Sequence, residues 1–282
     1  MIHRNLPTYF ISHGGGPWPW MEGESNGAYG PLEAALKAMP AQIGSTPKAV
    51  LLISADWQEP EFTVMSSANP PMIDDYSGLP EHTYRIRYAA PGSPRIAERM
   101  RARVAAAGVD VRLDPLRGFD HGTFAPLAVI YPDADVPVFE LSLRHGCDPA
   151  EHIAIGRALA PLRSEGVLII GSGLSYHNLR ALGPVASEPT AAFDLWLQHT
   201  LLDLSPNDRI ERLLNWESAP SARQAYPQED HLLPLMVAVG AAGNDCGACV
   251  YHQNDFFGPL SVSSFMFGST ARAHARSLSA LH

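Results

Sequence analysis

Four stretches of the chain repeat one layout, in which strand-forming residues or a glycine-rich turn deliver a polar, metal-type side chain. They are TYFISHGGGP (8–17), LLISADW (51–57), GFDHGTF (118–124) and LIIGSGLSYHNLR (168–180). Aromatic and β-branched residues favour a pleated, half-buried backbone. The glycines and proline that follow let the chain reverse tightly and let other groups approach the backbone. Polar groups at several strand ends constrain the architecture, because an open α/β sheet gathers such groups at the carboxyl edge of its strands. His13, Asp56, His121 and His177 occupy these positions, and His231, after Asp230 as a candidate N-cap, joins them from a predicted helix start.

The intervening sequence alternates helix and strand patterns. Continuous apolar runs at Ala49–Ala55 and Val167–Gly171 read as strands buried on both faces. Further strands are predicted at Phe62–Ser66, Tyr84–Tyr88, Val109–Leu113, Val136–Leu143, Val250–Phe256 and Leu260–Phe267. Helices are predicted at Leu32–Met39 (ending near Pro40), from Ser93 or Pro94 to Ala107, and at Thr123–Tyr131. Others follow at Pro149–Ser164 with Asp148 as N-cap, Pro189–Leu204, Pro206–Trp216 and His231–Ala242, with a helical or frayed tail at Ala271–Leu281. No linker or repeat interrupts the alternation. The expectation is one α/β domain over residues 1–282, with a central, largely parallel or mixed β-sheet, helices on both faces and antiparallel strands at its C-terminal end.

A chain of 282 residues can bury a substantial core, and 46% hydrophobic with 17% charged residues is ordinary for a globular enzyme. The net charge of −9 offers no basic face for nucleic acid or an anionic membrane. No stretch has the length of a membrane span or a signal peptide. Three cysteines do not suggest a disulfide framework, and the lone CxxC of Cys246 and Cys249 lacks the second pair that a structural zinc needs. A cytoplasmic protein is expected, with no nucleic-acid or membrane partner and with a homo-oligomer allowed.

Imidazole and carboxylate ligands suit a divalent first-row metal, and three of them with open positions suit iron(II) or catalytic zinc. Taken singly, each of the five groups reads as a hydrogen-bonded residue at a strand end. Taken together they point to a shared site. The HGGG run lacks the G-x-S-x-G elbow of an esterase, and neither phosphate-binding glycine motif is present.

The chain resembles the class III extradiol ring-cleavage dioxygenases, in particular their DOPA-dioxygenase-like branch. The similarity is carried by FISHGGGPWPW, AVLLISADW, YSGLPEHTYRIRYAAPGSP, LRGFDHGTFAPL, VFELSL, GSGLSYHNLR, HLLPLMVAVGAAG and LSVSSFMF, in that order from Thr8 to Phe267. The resemblance implies a single α/β domain with a non-haem metal at the carboxyl edge of the sheet, a small aromatic diol and O2 as reactants, and iron(II) as cofactor. It implies His13, the residue at position 56, His177 and His231 as metal ligands, and His121 beside the substrate. For His177 an acid–base role is the alternative to ligation. Gly14 and Gly15 would leave room for substrate, Tyr76 would wall an aromatic pocket, with Trp18 and Trp20 either joining it or, as the default, packing in the core, and Arg180 would neutralise a substrate carboxylate or cap a helix.

One departure lies in the metal shell: ISADW carries Asp56 where the family shows histidine. A carboxylate still ligates, so His13, Asp56 and His231 can form a two-histidine, one-carboxylate set. Alternatively the shorter side chain falls short of the metal. Two rival functions follow, a zinc enzyme that activates water for hydrolysis or C–C cleavage, and a silent binding protein on the same fold.

Overall fold

The computed structural model describes residues 5–21, 24–269 and 271 and builds them around one eight-stranded mixed sheet. In chain order the strands are β1 (Thr8–Ser12), β2 (Ala49–Glu59), β3 (Thr63–Met65), β4 (Arg112–Asp114), β5 (Val138–Arg144), β6 (Val167–Gly173), β7 (Gly247–Phe256) and β8 (Leu260–Phe267). Their spatial order is β4-β3-β5-β2-β6-β1-β8-β7. The central four, β5-β2-β6-β1, are mutually parallel. β8 then runs antiparallel to β1, and β7 antiparallel to β8, which closes one side as the C-terminal sequence predicts. The parallel centre is buried on both faces, which is why its strands read as unbroken apolar runs rather than alternating ones.

Eight α-helices accompany the sheet among the described residues: α1 (Glu24–Ile43), α2 (Pro94–Ala106), α3 (His121–Ile130), α4 (Pro149–Leu159), α5 (Ser187–Leu202), α6 (Pro206–Leu214), α7 (Ala222–Ala225) and α8 (Leu233–Ala242). Strand β6 shows how they divide between two faces. Its residues alternate sides, and a Cβ at Gly171 or Gly173 would overlap the carbonyls of Pro234 and His231, at and just before α8. Ser172, pointing the other way, donates from Oγ to the Gly122 carbonyl of α3 at 2.5 Å. The sheet is therefore covered by α8 on one face and α3 on the other. Helix α8 is wholly buried. Its last carbonyls are satisfied by two buried guanidinium groups, Arg163 on Ala241 and Ala242, and Arg209 on Gly243.

Several elements differ from the sequence expectation. Helix α1 runs through both Pro31 and Pro40 instead of stopping near Pro40. Tyr29, Leu32, Leu36 and Met39 form its buried stripe, and their packing outweighs the lost backbone bonds. Tyr84–Tyr88, predicted as a strand, is instead the end of a 3-10 turn at Glu81–Arg85 and the extended chain after it. Helix α4 ends at Leu159 and continues as 3-10 turns to Glu165, and α7 carries no sequence signal of its own. Beyond Ala271 the predicted tail lies outside the described residues. No helix among the described residues is long and apolar enough to cross a membrane.

Candidate active site

The parallel strands deliver three of the five candidate groups to one edge. His13 directly follows β1, where its N–H donates to the Gly173 carbonyl at 3.0 Å and keeps the two strand ends in step. Trp18 donates from Nε1 to the His13 carbonyl at 2.7 Å. Gly14 has φ +82°, and the space a side chain there would need is taken by the rings of Trp18 and Tyr29. The Tyr29 hydroxyl accepts from the Gly15 N–H at 3.0 Å. The two glycines thus let aromatic rings pack against the turn that orients His13, and Trp18 is part of the core rather than a pocket wall.

Asp56 lies within β2, not beyond its end. The pairing of β2 with β5 shifts register between Ile53 and Gln58, and this irregularity presents Asp56 to the site. The Ser54 hydroxyl accepts from the Asp56 N–H and donates to Asp120. On the neighbouring turn Gly122 has no room for a Cβ, which would stand 2.6 Å from Asp56 Oδ2.

His231 precedes α8. The sequence expectation of Asp230 as a helix N-cap is replaced by another arrangement: the helix starts at Leu233, and Asp230 Oδ1 accepts from the His231 N–H at 2.7 Å and contacts its Nδ1 at 3.0 Å. His177 lies in the loop after β6, held by its N–H on the Ala225 carbonyl. Its ring stacks on that of His231, with centroids 3.4 Å apart and planes 15° from parallel, and its Nδ1 stands 3.6 Å from the same Asp230 oxygen. One carboxylate therefore faces the Nδ1 edge of both rings. For Asp230 burial acts to raise the pKa, but His177 and His231 outweigh it and hold the carboxyl well below its ordinary range.

His121 opens α3, whose N-cap is Asp120 accepting from the Thr123 N–H. Its Nδ1 contacts Asp75 Oδ2 at 2.7 Å, and its Nε2 faces Asp56 Oδ2 at 3.7 Å. The Tyr76 ring centroid lies 6.5 Å from that of His121 and 6.4 Å from that of Phe124, and Trp20 packs against Phe124 at 5.8 Å. Arg180 is exposed in a turn. Its N–H bonds Asn178 Oδ1, and its guanidinium has no ion-pair partner among the described residues.

The geometry converges on Asp56. His13 Nε2 lies 3.9 Å from its Oδ2, and His231 Nε2 lies 3.8 Å from its Oδ1. The donor atoms of His13, Asp56 and His231 all lie within 4.8 Å of one another, a set that could hold one cation. Both ring nitrogens of His13, and Asp56 Oδ2, are buried without a hydrogen-bond partner. Buried polar atoms are normally satisfied, and a metal would satisfy one His13 nitrogen and Asp56 Oδ2. His177 falls outside this triad and belongs to a separate grouping with Asp230 and His231.

Protonation favours the same reading. Burial, then the neighbouring His121, His231 and His177, hold His13 well below the ordinary imidazole pKa. Burial likewise lowers His231 to about 4, against the opposing pull of Asp230. Both are neutral near pH 7, the form that ligates. Burial raises Asp56 to about 7 despite the nearby His121. Burial acts to lower His121, but Asp75 and Asp56 outweigh it and raise the ring to about 9.

Residues 7–269 match the family described as the catalytic LigB subunit of aromatic ring-opening dioxygenase. The chain belongs to this family. It is 38% identical over 269 residues to the 4,5-DOPA dioxygenase extradiol of Beta vulgaris, covering 93% of this chain and 97% of that one. It is 33% identical to the Escherichia coli K12 4,5-DOPA dioxygenase extradiol, over 79% of this chain and 83% of that one. The crystal structure of an uncharacterised E. coli K12 protein, JW3007, superimposes with TM-score 0.74 at 27% identity and covers 93% of this LigB-family chain. Two features of the site had no signal in the sequence, the carboxylates Asp75 and Asp230 on the outer edges of the rings. Asp75 lies in a proline-rich stretch without periodicity, and Asp230 read as a cap.

Proposed function

We infer that this LigB-family protein is a non-haem, metal-dependent extradiol dioxygenase, which inserts O2 into a catechol-type ring with cleavage of the C–C bond beside the diol. The observation that carries the reading is the triad of His13, Asp56 and His231 with its unpartnered donor atoms, set beside His121 in a chain of this family. We assign iron(II) as the working metal, held by these three residues. Two histidines and one carboxylate with open positions are the donor set of oxygen-activating iron sites, and zinc fits the same donors without supplying redox chemistry. Bound there, iron(II) would supply the electrons that let a singlet catechol react with triplet O2, and a site at which both reactants meet.

The chain's own residues do the rest. His121 is assigned as proton acceptor at Nε2, the ring nitrogen that faces Asp56. Despite burial, Asp75 and Asp56 hold the metal-free ring protonated, and committing the Asp56 charge to the metal would free Nε2 for a diol proton. His177 is assigned the acid–base role rather than ligation, because its ring stacks beside His231 instead of converging on His13 and Asp56. Tyr76 stands edge-on to His121, in contact with the buried Phe124, and offers aromatic surface suited to a flat ring. Arg180, with its guanidinium uncommitted, is assigned to a substrate carboxylate of the kind DOPA carries.

The test is anaerobic reconstitution with iron(II), addition of catechols including DOPA and protocatechuate, and admission of air. Oxygen uptake with a yellow, ring-opened product is the expected result. Bound iron without uptake on any catechol would overturn the reading.

A further inference from the structure

His121 has a carboxylate at each ring nitrogen, Asp75 on Nδ1 and Asp56 on Nε2, as His231 has Asp230 and Asp56. Its sequence neighbour Asp120 does not hold the ring. That carboxylate is spent on Ser54, the Thr123 N–H and Arg117. Asp75, 46 positions upstream, contacts Nδ1 at 2.7 Å and accepts from the His121 backbone N–H at 3.2 and 3.4 Å. Ring and backbone are therefore gripped by one carboxylate, and a rotation of the ring about its Cβ–Cγ bond would break the shorter contact.

Asp75 is itself held in place. The segment that carries it pairs with the residues before α3: Ile73 N–H donates to the Phe119 carbonyl and Phe119 N–H to the Pro71 carbonyl, both at 2.8 Å. The approach is close enough that a Cβ at Gly118 would overlap the Pro71 carbonyl. The next residue, Tyr76, forms the aromatic edge beside the His121 ring. One irregular segment thus supplies both the grip on the base and part of the wall against which a ring would lie.

We propose that Asp75 is a positioning residue for ring cleavage: it fixes His121 with Nδ1 turned outward as a hydrogen-bond donor and Nε2 turned to the diol. The inference rests on the assignment of His121 as proton acceptor made above. In the step concerned His121 acts in its neutral form, with the Asp56 charge committed to the metal: a diol O–H bond breaks, its proton passes to the His121 Nε2 lone pair, and the electron pair stays on the diol oxygen. No oxidant enters. Asp75 holds the acceptor in line, as the buried aspartate of an Asp–His pair does for its imidazole.

The experiment compares Asp75→Ala, Asp75→Asn and Asp75→Glu with the wild type in the iron(II)-loaded protein. Expected for Asp75→Ala is a fall in kcat of roughly 10- to 100-fold, in the range seen when an orienting partner is removed. KM for the catechol, iron per chain and the unfolding midpoint stay close to the wild-type values, while Asp75→Asn and Asp75→Glu recover part of kcat. A second readout uses 4-nitrocatechol added without oxygen. Its absorbance reports ionisation on binding, and the bound form is expected to be less ionised in Asp75→Ala than in the wild type. Unchanged kcat and unchanged nitrocatechol spectra overturn the proposal, and so does a fall in kcat that tracks lost iron or lost stability. If the wild type opens no catechol, the parent reading has failed instead, and the nitrocatechol spectra alone decide whether Asp75 acts on the diol proton.

Discussion

At the scale of single residues the site turns on Asp56. Its two oxygens face different histidines, Oδ1 toward His231 and Oδ2 toward His13 and His121, so the shorter side chain still reaches the centre of the donor set. This placement supports the reading of ISADW in which the aspartate ligates, over the one in which it falls short. A neutral isostere tests the charge: Asp56→Asn is expected to lower iron(II) affinity roughly tenfold or more, measured by anaerobic titration. Asp56→His is expected to give no gain over the wild type, because Gly122, Ser54 and Asp120 already crowd the position. Higher iron affinity and faster cleavage together in Asp56→His would show instead that the aspartate disables the site. The first four positions were legible in the sequence because each follows a recognisable run or turn. The outer carboxylates were not, since an aspartate at the back of an imidazole has no spacing rule that links it to its partner.

At the scale of elements, the fit of α8 against β6 sets where His231 stands. Gly173 is the close point, with the His231 carbonyl occupying the room of a side chain. Gly173→Ala must push the segment before α8 outward, a repacking that costs about 1–3 kcal/mol and moves a proposed ligand. The expected outcome is a lower urea midpoint together with reduced iron stoichiometry, whereas Gly30→Ala, at a helical glycine with open space around it, leaves iron binding intact. Legibility followed the same physics. β8 and the buried strands could be read because their burial imposes a continuous pattern. Helix α1 was shortened because proline is locally unfavourable, and only the packing of Tyr29, Leu32, Leu36 and Met39 shows why the helix continues. Tyr84–Tyr88 alternates like a strand, yet no neighbour there offers a ladder, and the chain forms a 3-10 turn.

At the scale of the whole molecule, the buried ionisable groups pull acid stability in opposite directions. His13, His152 and His231 are kept neutral by burial and so lose stability as pH falls, while Asp56, Asp120 and Glu140 are raised and act against that loss. The net curve cannot isolate any one of them, but a difference between two proteins can. His152 is the clean choice, fully buried and outside the site: its Nδ1 donates to the Asp148 carbonyl at 2.7 Å, and its Nε2 accepts from the Arg144 N–H at 3.3 Å. That pairing exists only for the neutral ring. Burial, partly offset by Asp148, lowers its pKa from 6.5 to about 4. Below pH 6.5 the unfolded chain takes up a proton that the folded chain refuses, so the contribution of His152 is complete above that pH. It declines toward pH 4, by on the order of 3 kcal/mol in total. Urea unfolding of the wild type and His152→Gln, each at pH 7 and pH 4, should therefore show the wild type losing more stability than the variant over that interval. Equal losses would mean that His152 is protonated inside the fold, with its bond from the Arg144 N–H already broken.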